Sequence, residues 1–263
     1  MVKIIFSDID GTLINSDFKV TEKTKSAIGQ AINQGMTFVP VSARMPEAIK
    51  PIIDTIGIKT PIISYNGALV QTEDDETITS SPMETEIALE LCHFIQKNHP
   101  QIAWNIYSYH DWYGMDRSND WIQREEEIVG VLSHEAELSA LEDLEAVHKV
   151  LLMGNPDLIA PLEISLKELY PDLSIAKSAP YFIEIMAQGI RKGEAVKTFA
   201  DYLSVAIEDT IAFGDNFNDL DMLQTVGKGF VMSNGPKEVQ DAIGNITADH
   251  NHDGIALVLS DYL

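Results

Sequence analysis

A single cysteine, Cys92, occurs among the 263 residues, so no intrachain disulfide can form. It lies in the apolar stretch 89–95, a setting for a buried structural thiol rather than a reactive one, because nothing electropositive flanks it. Basic residues are also scarce: 18 Lys and Arg stand against 41 Asp and Glu, a formal charge of −23. That balance argues against electrostatic binding to nucleic acid or an anionic membrane, both of which need clustered Lys and Arg. An anionic substrate would require a local reversal of the field, for which a divalent cation is the obvious agent. No apolar run approaches the length of a membrane span. The N-terminal run 2–6 meets Ser7 and Asp8 too soon for a signal peptide, so a cytoplasmic protein, monomeric or a small homo-oligomer, is expected. Internal repeats and low-complexity tracts are absent as well.

What remains is ordinary globular material, 45% apolar and 22% charged, enough for one large domain or two modest ones. Residues 3–7 form a short continuous apolar run, as expected of a strand buried on both faces of a parallel sheet. Thr21 is a plausible N-cap for a helix carrying Ala27, Ile28, Ala31 and Ile32, with Gly35 as its stop. Residues 36–41 and 61–65 read as further strands, and 47–56 as a helix that Pro51 must kink or restart. From 84 to 187 the alternation loses its regularity. There, 86–97 reads as an amphipathic helix, and 102–107, 112–115, 147–153 and 182–186 as strands. Glu125, Glu126 and Glu127 read as a solvated face. Regular alternation resumes with a helix at 192–203, strands at 210–213 and 229–232, and a helix at 236–243. The pattern predicts an α/β fold. A Rossmann-like, doubly wound parallel sheet made from 1–83 and 188–263 is split by an inserted α+β domain at 84–187.

Parallel sheets place ligands at the carboxyl ends of their strands, and several predicted strand ends carry polar groups. The first reads Asp8-Ile9-Asp10-Gly11-Thr12. Its two carboxylates, two residues apart, project to one side and suit a hard cation, a nucleophile and a proton-transfer group. Ser42-Ala43-Arg44 offers a hydroxyl and backbone N–H groups for phosphate oxygens. Lys192 opens the helix after the insertion, where its ammonium could neutralise a phosphoryl group, and Gly214-Asp215-Asn216-Phe217-Asn218-Asp219 is an oxygen-rich loop suited to magnesium.

These segments, in this order, resemble the haloacid dehalogenase (HAD) superfamily, and within it the Cof-type sugar-phosphatase-like hydrolases, over essentially the whole chain. The family's motifs DxDGT, Thr or Ser, Lys and GDxxND correspond to Asp8 to Thr12, Ser42, Lys192 and Gly214 to Asp219. Asn66-Gly67 and Asp253-Gly254-Ile255-Ala256 also look like family features, and the insertion falls where the family carries a C2 cap, with the length of the C2B form. One departure is Ser-Ala-Arg where Thr-Gly-Arg is commoner; it keeps the hydroxyl and the N–H. The resemblance implies a small phosphate ester as substrate and Mg2+ as cofactor. It implies Asp8 as nucleophile and Asp10 as acid and base. Ser42, Ala43, Lys192 and Asn218 would bind phosphate, and Arg44 would help them or face the substrate. Metal would be bound by Asp8, the carbonyl of Asp10 and Asp215, with Asp219 in support.

Other features keep two readings. Arg44 serves either as a substrate contact or as a structural ion partner. Trp104, Tyr107, Trp112 and Tyr113 form either the core of the insertion or a platform for a sugar ring. His250-Asn251-His252 lacks a third ligand nearby and reads as loop. A phosphomutase would form the same aspartyl-phosphate, and a non-catalytic phosphometabolite-binding protein would not need Asp8, Asp10, Lys192 and Asp215 together.

Overall fold

The N-terminal apolar run forms β1 (Ile4–Ser7), every residue of which is buried. It is followed by α1 (Glu22–Asn33), β2 (Thr37–Pro40) and α2 (Pro46–Asp54). Thr21 caps α1, its hydroxyl oxygen accepting from the Thr24 N–H at 3.2 Å. Helix α2 runs through Pro51 as one helix, neither ending nor restarting there. Pro51 lies on its exposed side, where the missing donor is cheapest. Next come β3 (Ile62–Ser64), β4 (Leu69–Gln71) and β5 (Thr77–Ser80), which form an antiparallel sheet of their own. The strand expected at 61–65 therefore belongs mainly to this small sheet, and touches the parallel one through a single bridge between Val41 and Ile63.

The computed structural model describes all of residues 1–263, which divide into two units, 1–80 with 191–263 and 81–190. The inserted unit contains α3 (Thr85–Asn98), β6 (Ala103–Ser108), β7 (Asp111–Gly114), α4 (Asp120–Val129) and β8 (His134–Glu135). It continues with β9 (Lys149–Met153), α5 (Pro156–Leu169), β10 (Leu173–Ala179) and β11 (Phe182–Ala187). Its six strands run in the order β10-β11-β9-β6-β7-β8, antiparallel except for the β7–β8 pair. Trp104, Ile106, Val150, Leu152, Ile183 and Ile185 pack in one core with Leu91, Cys92 and Ile95 of α3 and Ile159, Leu162 and Leu166 of α5. Trp104, Tyr107 and Trp112 are buried, with Tyr107 stacked on Trp112, so these aromatics pack inside the protein. Burial pushes the Cys92 thiol far above its ordinary range.

The acidic run in α4 departs from expectation. Glu126 is buried, and its carboxylate accepts from the Arg117 Nε and Nη2 at 3.0 and 3.1 Å and from the Ser133 N–H and hydroxyl at 2.8 and 2.7 Å. Burial alone would raise its pKa, but these donors hold it below the usual carboxylate value. Helical spacing explains the error: in three consecutive glutamates one points inward, and sequence does not reveal the Arg nine residues away.

The chain then completes the first unit with α6 (Lys192–Tyr202), β12 (Thr210–Gly214), α7 (Leu220–Thr225) and β13 (Lys228–Met232). It ends with α8 (Lys237–Ile243), β14 (Ile246–Thr247) and α9 (Gly254–Leu259). The parallel sheet has the order β14-β13-β12-β1-β2. Ile5, Ile211 and Phe213 pack on one face with Ile28 of α1 and Leu259 of α9, while Ile4, Phe6 and Ala212 pack on the other with Val196, Phe199 and Met222. Burial on both faces is why these strands read as unbroken apolar runs. No helix is long and apolar enough to cross a membrane.

Candidate active site

Strand order reverses between β1 and β12: the chain leaves β1 for β2 on one side, while β13 and β14 extend from β12 on the other. Loops diverge at such a switch point and leave a crevice at the strands' carboxyl ends. Asp8 directly follows β1 and is tied to the neighbouring strand, its N–H donating to the Phe213 carbonyl at 2.9 Å. Asp215 directly follows β12. The two acids come from positions 207 residues apart in sequence, yet stand on adjacent strand ends because Ser7 pairs with Phe213.

Lys192, the first residue of α6, has no exposed side-chain surface, and its Nζ donates to Asp8 Oδ1 and Asp219 Oδ1, both at 2.6 Å. Burial opposes its charge, but the Asp219 and Asp8 carboxylates outweigh that cost and push its pKa up. Asp8 is likewise pushed well above the usual carboxylate range by burial and by Asp219, with Lys192 pulling the other way. One ammonium thus serves two carboxylates, with Asp215 a third acid close by, and negative charge is left over. The other Asp219 oxygen accepts the N–H groups of Asp215 and Asn216, each at 3.0 Å, closing the loop on itself. Gly214 is required there, since a Cβ would lie 2.5 Å from the Asp219 Cβ. The N–H of Gly193 donates to Asp221 Oδ2 at 2.8 Å, tying the start of α6 to α7.

Arg44 clasps Asp10 with two parallel bonds, Nε to Oδ2 at 2.8 Å and Nη2 to Oδ1 at 2.7 Å. The ion partner of Arg44 is the second acid of the first motif. Ser42 is buried, and its Oγ accepts the Arg44 N–H at 3.1 Å. The segment carrying Ser42, Ala43 and Arg44 is fixed by the next strand end: the Asn66 N–H donates to the Ser42 carbonyl at 2.8 Å and the Tyr65 N–H to the Arg44 carbonyl at 3.1 Å. Tyr65, Asn66 and Gly67 all have left-handed φ values of 51°, 53° and 105°. A Cβ at Gly67 would lie 2.9 Å from the Arg191 carbonyl oxygen, so only glycine lets this loop reach the start of α6. Asn218 Nδ2 stands 3.5 Å from Asn66 Oδ1, bringing it toward the same loop.

Carboxylate oxygens of Asp8, Asp215 and Asp219 lie within 4.8 Å of one another. Burial and the charge of Asp219 push Asp215 up to about 6, although the Thr12 hydroxyl donates to its Oδ1 at 3.0 Å. Oxygen donors whose pKa values are raised for want of positive charge suit a hard cation, which would favour their ionised form. Asp219 has both oxygens engaged by Lys192 and backbone N–H groups, so it fits support rather than direct ligation. The Asp10 carboxylate is held by Arg44 and is not part of this cluster.

Thr12, expected only as the end of the first motif, and Asn234, not expected at all, both bond to Asp215. Asn234 follows the predicted strand 229–232, so its place at a strand end is the signal that points to it. The His250 to His252 segment remains a loop, with His252 Nδ1 bonded to Asp249 at 2.8 Å and His250 Nε2 3.2 Å from the Ser16 hydroxyl.

Residues 5–259 match the family of haloacid dehalogenase-like hydrolases. A Haemophilus influenzae protein named "Putative phosphatase" is 36% identical over 261 residues, covering 99% of this chain and 98% of that protein. The crystal structure of a haloacid dehalogenase-like hydrolase from Bacteroides thetaiotaomicron superposes with a TM-score of 0.92 at 25% identity, over 100% of both chains. A structure titled as a HAD subclass IIB sugar phosphatase shares the fold, with a TM-score of 0.83 at 20% identity and 99% of each chain covered.

Proposed function

The chain belongs to the haloacid dehalogenase-like hydrolase family, and from that premise we propose a magnesium-dependent phosphatase that hydrolyses small phosphorylated metabolites, sugar phosphates among them, through an aspartyl-phosphate on Asp8. The family match, with relatives named as putative phosphatases, supports a phosphoric monoester hydrolase. The observation that carries the finer reading is the set of buried Asp8, Lys192 and Asp219 with half-buried Asp215, whose negative charge exceeds what Lys192 can neutralise.

In this reading an Asp8 oxygen attacks phosphorus in line, the bond from phosphorus to the leaving oxygen breaks, and Asp10 supplies the proton that the leaving alkoxide takes up. Asp10 then accepts a proton from the water that attacks phosphorus. The bond to Asp8 breaks and inorganic phosphate departs. Ser42, the Ala43 N–H, Lys192 and Asn218 hold the transferring phosphoryl oxygens, and Arg44 orients Asp10. Asp8, the Asp10 carbonyl and Asp215 would hold the cation, with Asp219 steadying the loop that carries Asp215. When bound, Mg2+ supplies the positive charge that keeps Asp8 ionised and offsets charge on the phosphoryl oxygens. Sugar phosphates are chosen as substrates on the motif resemblance, and the sugar phosphatase that shares the fold is in keeping with that choice.

The test is phosphate release from a panel of sugar phosphates and an aryl phosphate, with magnesium and with chelator. Release should need magnesium and should vanish in Asp8→Asn, which is nearly isosteric. Undiminished turnover in that variant overturns the mechanism. An isomeric sugar phosphate in place of free phosphate would identify a mutase.

A further inference from the structure

β13 ends at Met232, and the turn that follows, Ser233-Asn234-Gly235, has no part in the mechanism above. An asparagine side chain offers two N–H donors and one carbonyl acceptor. Asn234 uses both kinds on the loops around the site. Its Nδ2 donates to the Gly11 carbonyl at 2.9 Å and to Asp215 Oδ2 at 3.4 Å. Its Oδ1 accepts the His250 N–H at 3.3 Å. Thr12 donates to the other Asp215 oxygen, so each oxygen of that carboxylate has a side-chain donor.

The turn itself is stiff. The Gly235 N–H donates to the Met232 carbonyl at 3.0 Å, and the Ser233 N–H to the Thr247 carbonyl at 3.1 Å. Gln240 Nε2 donates to the carbonyls of Ser233 and Gly235, at 3.1 and 2.8 Å, bracketing Asn234 on both sides. A Cβ on Gly235 would stand 2.2 Å from the Asp215 carbonyl oxygen, so the turn lies directly against the backbone it supports. Gly11 is equally confined: its φ is +80°, and a Cβ there would stand 2.6 Å from Asp215 Oδ2.

We propose that Asn234 is a positioning residue for the cation: it locks the turn after Asp10 and the Asp215 carboxylate into the arrangement that a metal ion requires. Side chains that hold a ligating carboxylate typically change metal affinity by about 10- to 100-fold when removed. An amide is needed, because aspartate at this position would lose both donors and set another negative charge against Asp215. Serine would be too short to bridge Gly11 and Asp215. The role rests on the metal-binding reading of Asp215 given above.

The test uses the full chain and magnesium alone, with binding followed by titration calorimetry in the absence of substrate. Thermal unfolding and ester KM at saturating magnesium are measured alongside. Asn234→Ala should weaken magnesium binding about 10-fold. The KM measured at saturating metal should move much less, whereas a merely structural role would lower stability and leave the metal Kd of the folded fraction alone. Gln240→Ala, which frees the turn but removes no contact to Gly11 or Asp215, should weaken binding by a smaller factor. Wild-type magnesium affinity in folded Asn234→Ala overturns the role. Should Asn234→Ala fail to fold, wild-type affinity in Gln240→Ala overturns it and weakened affinity supports it. Wild-type protein that binds no magnesium would overturn the metal reading itself and this role with it, whereas binding in wild type that is unchanged in the variants overturns the role alone.

Discussion

The two units bury ionisable groups in opposite ways. In the inserted unit the Glu126 carboxylate meets Arg117 and two Ser133 donors, and His148 is buried with its pKa lowered to about 4, by burial first and by His110 second. Its neutral ring accepts the Tyr109 N–H at 3.1 Å. Each such group is either matched or kept uncharged. In the sheet unit, Asp8, Asp215 and Asp219 gather round one Lys192 and are left with surplus charge. Balanced burial is what a structural core does with charge, whereas unbalanced burial marks a place prepared for a ligand of opposite sign.

The largest expected effect comes from Lys192→Met, which removes the only buried cation bonded to Asp8 and Asp219. Phosphatase kcat/KM should fall on the order of 1000-fold, as when a transition-state charge partner is removed. Arg117→Met, the analogous cut in the inserted unit, should lower stability only modestly and leave turnover nearly unchanged, since Arg117 is partly exposed and Glu126 keeps its Ser133 donors. Denaturant melts and steady-state kinetics on both variants would decide the matter. A loss of turnover in Arg117→Met as large as in Lys192→Met would break the comparison.

Acid should separate the units next. The folded protein holds His148 neutral to about 4, while the unfolded chain takes up that proton near 6.5. Between those values the unfolded state binds more protons, so stability falls as pH is lowered through that window, at up to about 1.4 kcal/mol per pH unit. His148→Gln should flatten this part of the stability–pH curve, and an unchanged slope would remove His148 as its cause.

A smaller effect of opposite sign belongs to Asp215. Its folded pKa of about 6 lies above the unfolded value of 3.8, so the metal-free protein loses stability as pH rises through 6. Magnesium should therefore stabilise the protein more at pH 7.5 than at pH 5, and binding near pH 6 should release protons. Calorimetry in buffers of different ionisation enthalpy would detect that release, and its absence would mean that Asp215 is already ionised without the cation.

Much of the sheet unit was legible because its information is local. The apolar run before Asp8, the Thr21 cap and the strand preceding Asp215 are all written in neighbouring residues, and a parallel sheet covered on both faces makes its strands continuous in hydrophobicity. The four site segments were legible because their motifs occur in order. The inserted unit was harder to read. Helix α5 and strand β10 were missed, one carrying Pro161 inside the helix and the other partly exposed and irregular in its pairing. The three glutamates of α4 gave no sign of which one turns inward.

Sequence alone picked out the candidate site residues, the alternation that makes the core an α/β sheet, and the strand ends at which Asp8 and Asp215 stand. Tertiary structure decided who meets whom. Lys192 reaches Asp8 across 184 residues and Asp219 across 27, Arg44 finds Asp10 across 34, and Asn234 reaches Gly11 across 223. Spacing along a strand or helix is set by backbone geometry and can be read directly. Pairings between distant segments follow from strand order and from how closely glycines let the loops approach, and only the folded sheet fixes both.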